Sequence, residues 1–127
     1  MQNRIIHLGE VSPYFPPGHS KTTNYQLLGP GPSGSDRFEI VLGQIESGGQ
    51  ADLHAHEALD QAVFVLEGKA VVEIEGRQEV VGPNDLVYFP EGVRHRISAL
   101  EGPPLRLLIV YAPPLSAFAE DHGLAHE

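Results

Sequence analysis

The chain predicts an all-β domain, on three observations. Its 127 residues include 14 Gly and 11 Pro spread along the whole length, a turn-rich composition that favours many short strands. Segments rich in β-branched and aromatic residues recur at short intervals, each bounded by Gly, Pro, Asn or Asp. No two of them are separated by the roughly 10–15 residues of amphipathic helix that a parallel crossover needs. Antiparallel sheets closed as a barrel or sandwich follow, and a double-sheet roll fits best.

Taken in order, residues 4–8 read as a first strand. Residues 12–20, with Pro13, Pro16, Pro17 and Gly18, read as an extended arm, because proline cannot donate to the middle of a sheet; such an arm could wrap a partner subunit. Residues 24–28 and 37–46 are strands, and the Gly- and Pro-rich run from Gly29 to Gly34 is the loop between them. Strands at 61–67 and 69–75 come next. In the second, Ala70, Val72 and Ile74 alternate with Val71, Glu73 and Glu75, the period-two mark of a strand with one wet face. Glu75-Gly76-Arg77 is a hairpin tip leading into 78–81. Strands at 85–90, 95–98 and 105–111 complete the set. Pro113-Pro114 stops the last strand, and residues 115–122 read as a short C-terminal helix. The length suits one domain over 1–127, with the N-terminal strand and arm in 1–23 and the barrel core at about 37–112.

Composition narrows the function classes. Eight basic against 17 acidic side chains give a formal charge of −9, which repels nucleic-acid backbones and anionic membranes. Cysteine is absent, so neither disulfides nor thiolate metal sites are available. The N-terminus lacks the apolar run of a signal peptide, and no stretch approaches the ~20 apolar residues of a membrane span. A soluble, cytoplasmic protein is the expectation.

The chemistry is carried by two segments: Gly48-x5-His54-x-His56-x4-Gln61-x6-Gly68, and Pro90-x-Gly92-x2-His95. Histidines at i and i+2 on an extended segment share one face of a sheet, so both imidazoles can reach one ion; a helix would want i and i+4. Imidazole nitrogens with an amide or carboxylate oxygen suit a divalent transition metal (Zn, Ni, Fe, Mn or Cu) and not calcium.

Both segments resemble the two motifs of the cupin superfamily, whose first runs Gly, His-x-His, Glu, Gly and whose second runs Gly, Pro-x-Gly, His, Asn. The match lies at Gly48, His54, His56, Gly68, Pro90, Gly92 and His95, with 21 residues between Gly68 and Pro90, and covers about half of the chain. The resemblance implies a cupin double-stranded β-helix, a jelly-roll barrel, with a metal inside held by His54, His56, the residue at the glutamate position and His95. Three positions depart from the pattern: Gln61 for glutamate, Asn84 for the first glycine of the second motif, and Ala99 for its asparagine. Counting back from Gly68 places Gln61 at the ligand position; Asp60, one residue earlier and on the opposite face, is the alternative. A neutral amide oxygen leaves the ion its full +2, which favours Lewis-acid work over stabilising an oxidised iron centre. Some sugar-processing and polyketide-cyclising cupins are similar in using glutamine there.

Other residues are weighed against simpler roles. His7, His19, His122 and His126 fall outside the motifs and read as surface histidines. Arg94 and Arg96 flank His95, so alternation sends both away from it, and Arg106 suits a surface ion pair. Among Phe38, Tyr88 and Tyr111, Tyr88 is the preferred pocket and catalytic candidate, because Val87 and Phe89 beside it read as core. No residue outside the ligand set announces itself as general acid or base; Tyr88 and Tyr111 are available for that role. The expected function is a metal-dependent enzyme with a small organic substrate, whether isomerase, lyase or dioxygenase. The alternative is a non-catalytic metal-dependent small-ligand binding or sensing module. A homodimer is expected, since isologous pairing covers strand edges.

Overall fold

The computed structural model describes residues 5–30 and 34–115, with the backbone alone for 52–54. Among these, the strands are β1 (His19–Leu28), β2 (Glu39–His54), β3 (Asp60–Glu67), β4 (Ala70–Ile74), β5 (Arg77–Val81), β6 (Leu86–Phe89), β7 (His95–Ala99) and β8 (Leu105–Ala112). They form one antiparallel sheet in the order β5-β4-β7-β2-β8-β3-β6, with β1 paired to β2.

Period-two patterning explains why the sheet curls. The inner-face residues of one half (Ala70, Val72, Ile97, Ala99) and of the other (Val63, Val65, Val87, Phe89, Leu105, Leu107, Ile109) belong to a single buried cluster. Each half alone would leave that face wet. Closing one half onto the other removes it from water at about 25 cal/mol per Å² of apolar surface. Outer positions include ion pairs, Arg96 with Glu73 at 3.6 Å and Arg106 with Glu67 at 3.2 Å, beside half-buried apolar residues such as Phe64 and Leu108.

Strand β2 joins the halves. Its first part, Glu39 to Ile45, pairs with β8, and its last part pairs with β7 through Gln50, Ala51 and His54. Between them lie Gly48, with φ +82, and Gly49, where a Cβ would fall 2.6 Å from the Ser20 carbonyl oxygen. The β1–β2 register shifts in the same place, between Ser20 and Thr22. The glycines therefore allow one strand to bend from one half to the other instead of ending. The sequence places the end of this strand at Glu46, because Gly-Gly reads as a turn; the structure carries the strand on to His54.

Other expectations are corrected. Residues 5–7 form no strand and Leu8–Glu10 is a single 3-10 turn. Ile5 is 74% exposed, so no buried face rewards pairing there. The arm folds back on its own chain: Tyr14 and Asn24 exchange backbone hydrogen bonds of 2.8 Å, and β1 begins at His19, earlier than the patterning suggests. The hairpin tip forms as expected, with Glu75 and Gly76 both at positive φ, the combination a two-residue turn of this hand requires. The expected C-terminal helix lies, after Leu115, outside the described residues. No helix among the described residues is long and apolar enough to cross a membrane.

Gly68 and Gly76 separate backbone strain from crowding. Both have φ near +82, but a Cβ at Gly68 would lie 2.8 Å from Leu105 Cα and from the Pro104 carbonyl oxygen, whereas nothing lies within 4 Å at Gly76. Gly76→Ala is expected to cost about 1 kcal/mol and Gly68→Ala roughly 2–4 kcal/mol in urea unfolding. Equal costs would show that the approach of β8 to Gly68 is not a constraint.

Candidate metal centre

Two rows of paired residues build the site. In one, Glu39 on β2 lies opposite Tyr111 on β8, Tyr111 opposite Gln61 on β3, and Gln61 opposite Phe89 on β6. All four are at least nine-tenths buried. In the other, the backbone places His54 at the end of β2 opposite His95 at the start of β7, and His95 opposite Ile74 on β4. The rows meet where the Phe89 ring stacks on His95, centroids 3.9 Å apart and 13° from parallel. His56, just beyond β2, has its ring 5.6 Å from that of His95 and edge-on to Tyr111 at 5.8 Å. The Gly92 N–H donates to the His56 carbonyl at 2.8 Å, so the second motif holds the first in place through backbone.

The donor chemistry is specified by burial and by hydrogen bonds. His95 is 2% exposed, and its Nδ1 lies 3.1 Å from the Val93 carbonyl oxygen. A carbonyl only accepts, so Nδ1 carries the proton and, in the neutral ring, the lone pair is on Nε2; this is how a metal-binding imidazole is commonly oriented. Gln61 is 5% exposed, and its Oε1 is buried with no hydrogen-bond partner among the described residues. Gln61, His95 and Tyr111 line one cavity of about 30 Å³ together with His19, Thr22 and Asn24.

A buried amide oxygen without a partner is costly in a stable domain, and an ion is one means of meeting it. The residues thus fit a divalent metal: an orphan oxygen and an imidazole of the right tautomer share one cavity, with a second imidazole ring beside the first. Among the described side chains no group of three or more His, Cys, Asp or Glu gathers, the side chain of His54 being outside that set.

The remaining sequence candidates are dispersed. Tyr88 is 55% exposed on the outer side of β6, because alternation turns Val87 and Phe89 inward. It hydrogen-bonds Asp60 and borders a separate cleft of about 590 Å³ between β5 and β6. Asp60 is exposed, its Oδ1 accepting from the Glu91 N–H at 3.0 Å. Arg94 lies outside, its N–H donating to Glu75 Oε2 at 2.8 Å. His7 is exposed as expected; His122 and His126 lie outside the described residues. His19 departs from its expected surface role: it is half-buried and lines the cavity, because β1 begins early enough to carry it there.

Two polar residues emerge only from the fold. Glu39, 3% exposed, accepts from Gln26 Nε2 at 2.9 Å. A signal was present, since period two sets Glu39 on the face of Val41 and Ile45. Asn24 had none, because its neighbours at i±2, Thr22 and Gln26, are polar. The Tyr111 phenol is pushed above its ordinary value by burial first, then by Tyr14 and Glu39. It is therefore a protonated donor at neutral pH.

The comparisons agree with this architecture. A family model, the cupin domain, matches residues 41–111. The polyketide cyclase RemF from Streptomyces resistomycificus superposes with a TM-score of 0.76 at 30% identity, over 88% of this chain and 80% of that one. A beta-D-galactosidase of Mycobacterium tuberculosis is 25% identical over 91% of this chain and 99% of its own length. Quercetin 2,3-dioxygenase of Bacillus subtilis is 33% identical over 54% of this chain and 20% of its own. Two uncharacterized relatives are matched over 55% and 64% of their lengths. The chain belongs to the cupin domain family.

Two outcomes follow from the site. In metal-free protein, Gln61→Leu is expected to raise stability by about 1 kcal/mol, because it replaces a buried amide whose oxygen has no partner among the described residues with an apolar side chain of similar size. Urea unfolding checks this, and a loss of stability would show that Oε1 is satisfied. The raised Tyr111 value means that its contribution is full below the ordinary phenol value of about 10 and is lost as pH rises through the folded one. Wild-type stability should fall relative to Tyr111→Phe above about pH 10, and a difference that stays flat through that range would refute it.

Proposed function

We propose that this chain is a metal-dependent enzyme acting on a small organic substrate, with one divalent transition ion held by His54, His56, Gln61 and His95. The observation that carries the reading is the buried, unmet Gln61 Oε1 in the cavity that His95 lines. Bound there, a divalent ion supplies Lewis-acid polarisation of a substrate oxygen, and the neutral amide donor leaves it the full +2.

The chain's own residues then have distinct tasks. Val93 holds the His95 ring in the tautomer with its lone pair on Nε2, and Phe89 stacks against its face, so the ring is oriented before any ligand arrives. Tyr111 holds a proton on its phenol oxygen edge-on to His56 and can donate a hydrogen bond to a substrate oxygen on which negative charge develops. Gln61, His95 and Tyr111 are all buried, and the low dielectric around them strengthens each of these interactions.

Isomerisation or ring closure is the reaction class this donor set favours, and the likeness to a polyketide cyclase supports it. Oxygen chemistry, named in the dioxygenase relative, is the second branch. The narrowness of the cavity favours one rival, a binding or sensing module in which the ion only orients a ligand.

Metal analysis of untagged protein tests the proposal. One ion per chain is expected, bound more weakly in Gln61→Ala by on the order of tenfold, about 1.4 kcal/mol. Zinc or nickel, with turnover independent of oxygen, supports the Lewis-acid branch; iron, copper or manganese with oxygen uptake moves the assignment to the second. No metal, even on reconstitution, overturns the reading.

A further inference from the structure

Strands β5 and β6 are the two ends of the sheet, and between them lies the cleft of about 590 Å³, a size that holds a small organic molecule. Its floor is apolar: Val72 and Val87 belong to the core cluster, and Ile74 and Val81 pack against it. Leu86, 65% exposed, and the Tyr88 ring form the β6 lip. Among the described residues that line it are none of His56, Gln61 and His95.

Strand β5 breaks the apolar pattern at this floor. Its residues opposite Val72 and Ile74 of β4 are Glu79 and Arg77, so two charged side chains stand on the face where the neighbouring strand is apolar, and both line the cleft. Among the described residues the ion pairs are those of Arg96 with Glu73 and Arg106 with Glu67; neither Arg77 nor Glu79 takes part. The third charge at the cleft, Glu75, already accepts from the Arg94 N–H at 2.8 Å, and the Tyr88 phenol is engaged by Asp60. What remains is one cation and one anion two positions apart on an extended strand, about 7 Å, over an accessible apolar floor. Protecting an edge strand from pairing needs a charge of either sign; it does not need two of opposite sign beside such a floor.

We propose that this cleft is a ligand site, separate from the metal centre, for small aromatic carboxylates that carry a hydroxyl across the ring. The carboxylate takes the Arg77 guanidinium, whose planar fork matches it bidentately, the hydroxyl donates to the Glu79 carboxylate, and the ring covers the apolar floor. A rigid ring holds its two polar ends at a separation similar to that of Arg77 and Glu79, so little freedom is lost on binding. A simple inorganic anion would leave the floor wet, and an amino acid keeps both charges on one carbon, too close together to meet both residues. The assignment does not rest on the metal reading.

The test is titration of isotope-labelled protein, treated with EDTA so that no carboxylate binds through an ion, with para-hydroxybenzoate, benzoate and phenol, read by amide chemical shifts. In wild type para-hydroxybenzoate should bind about 5- to 10-fold more tightly than benzoate, with the shifts gathered on β5 and β6. Arg77→Thr should weaken both carboxylates by about 5- to 10-fold and leave phenol within about twofold. Glu79→Thr should remove the preference for the hydroxylated ring and tighten benzoate, because a like charge is gone. Both positions are exposed and threonine suits a strand; Arg77→Lys, which keeps the charge and loses the fork, carries the first arm if Arg77→Thr does not fold. No binding of either carboxylate in wild type, equal binding of the two, unchanged affinities in the folded variants, or shifts confined to His56 and His95 overturns the assignment. Each of these outcomes leaves the metal reading untouched.

Discussion

The bend of β2 at Gly48 and Gly49 is the constraint on which the rest of the structure depends. A strand that stopped at Glu46 would leave two separate sheets, each with an apolar face and an open edge. Because β2 continues, one chain segment hydrogen-bonds to β8 in one half and to β7 in the other. The halves are therefore held at a set angle, and their inner faces close on one core. The same continuation delivers His54 to the end of the strand, opposite His95. Fold closure and site assembly are consequences of one local departure from strand geometry.

The site sits where the core turns polar, and burial is the agent of that change. Along β3 and β8 the inner positions are Val63, Val65, Leu105, Leu107 and Ile109 until the last, which are Gln61 and Tyr111. Removing these groups from water is unfavourable unless each finds a partner. Some find one within the protein, as Glu39 does in Gln26. Among the described residues, Gln61 Oε1 and Asn24 Oδ1 do not.

How much was legible in the sequence differs by element for physical reasons. Strands β3 to β8 follow from alternation and turn residues, because their inner and outer faces meet such different environments. The start of β1 and the end of β2 were not legible, because His19, Ser20, Gly48 and Gly49 carry no apolar pattern; His19 and Ser20 pair with Ala51 and Gln50, beyond the two glycines. His56, Gln61 and His95 follow from the resemblance of the two motifs; in the fold Gln61 and His95 line one cavity and the His56 ring lies 5.6 Å from that of His95. Tyr88, on the outer face, borders the cleft of about 590 Å³ and not the cavity of Gln61 and His95.

What spacing and composition establish alone is therefore the all-β class, because it depends on short-range periodicity written into neighbouring positions; the family rests on the resemblance of two motifs to known ones. The tertiary structure alone decides that His19 and Asn24 belong to the cavity, that Tyr111 and not Tyr88 shares it with Gln61 and His95, and that Glu39 is buried. Each of these depends on which strand lies beside which. That is settled by closure of the whole sheet around β2, a contact between residues far apart in the chain that no local pattern encodes.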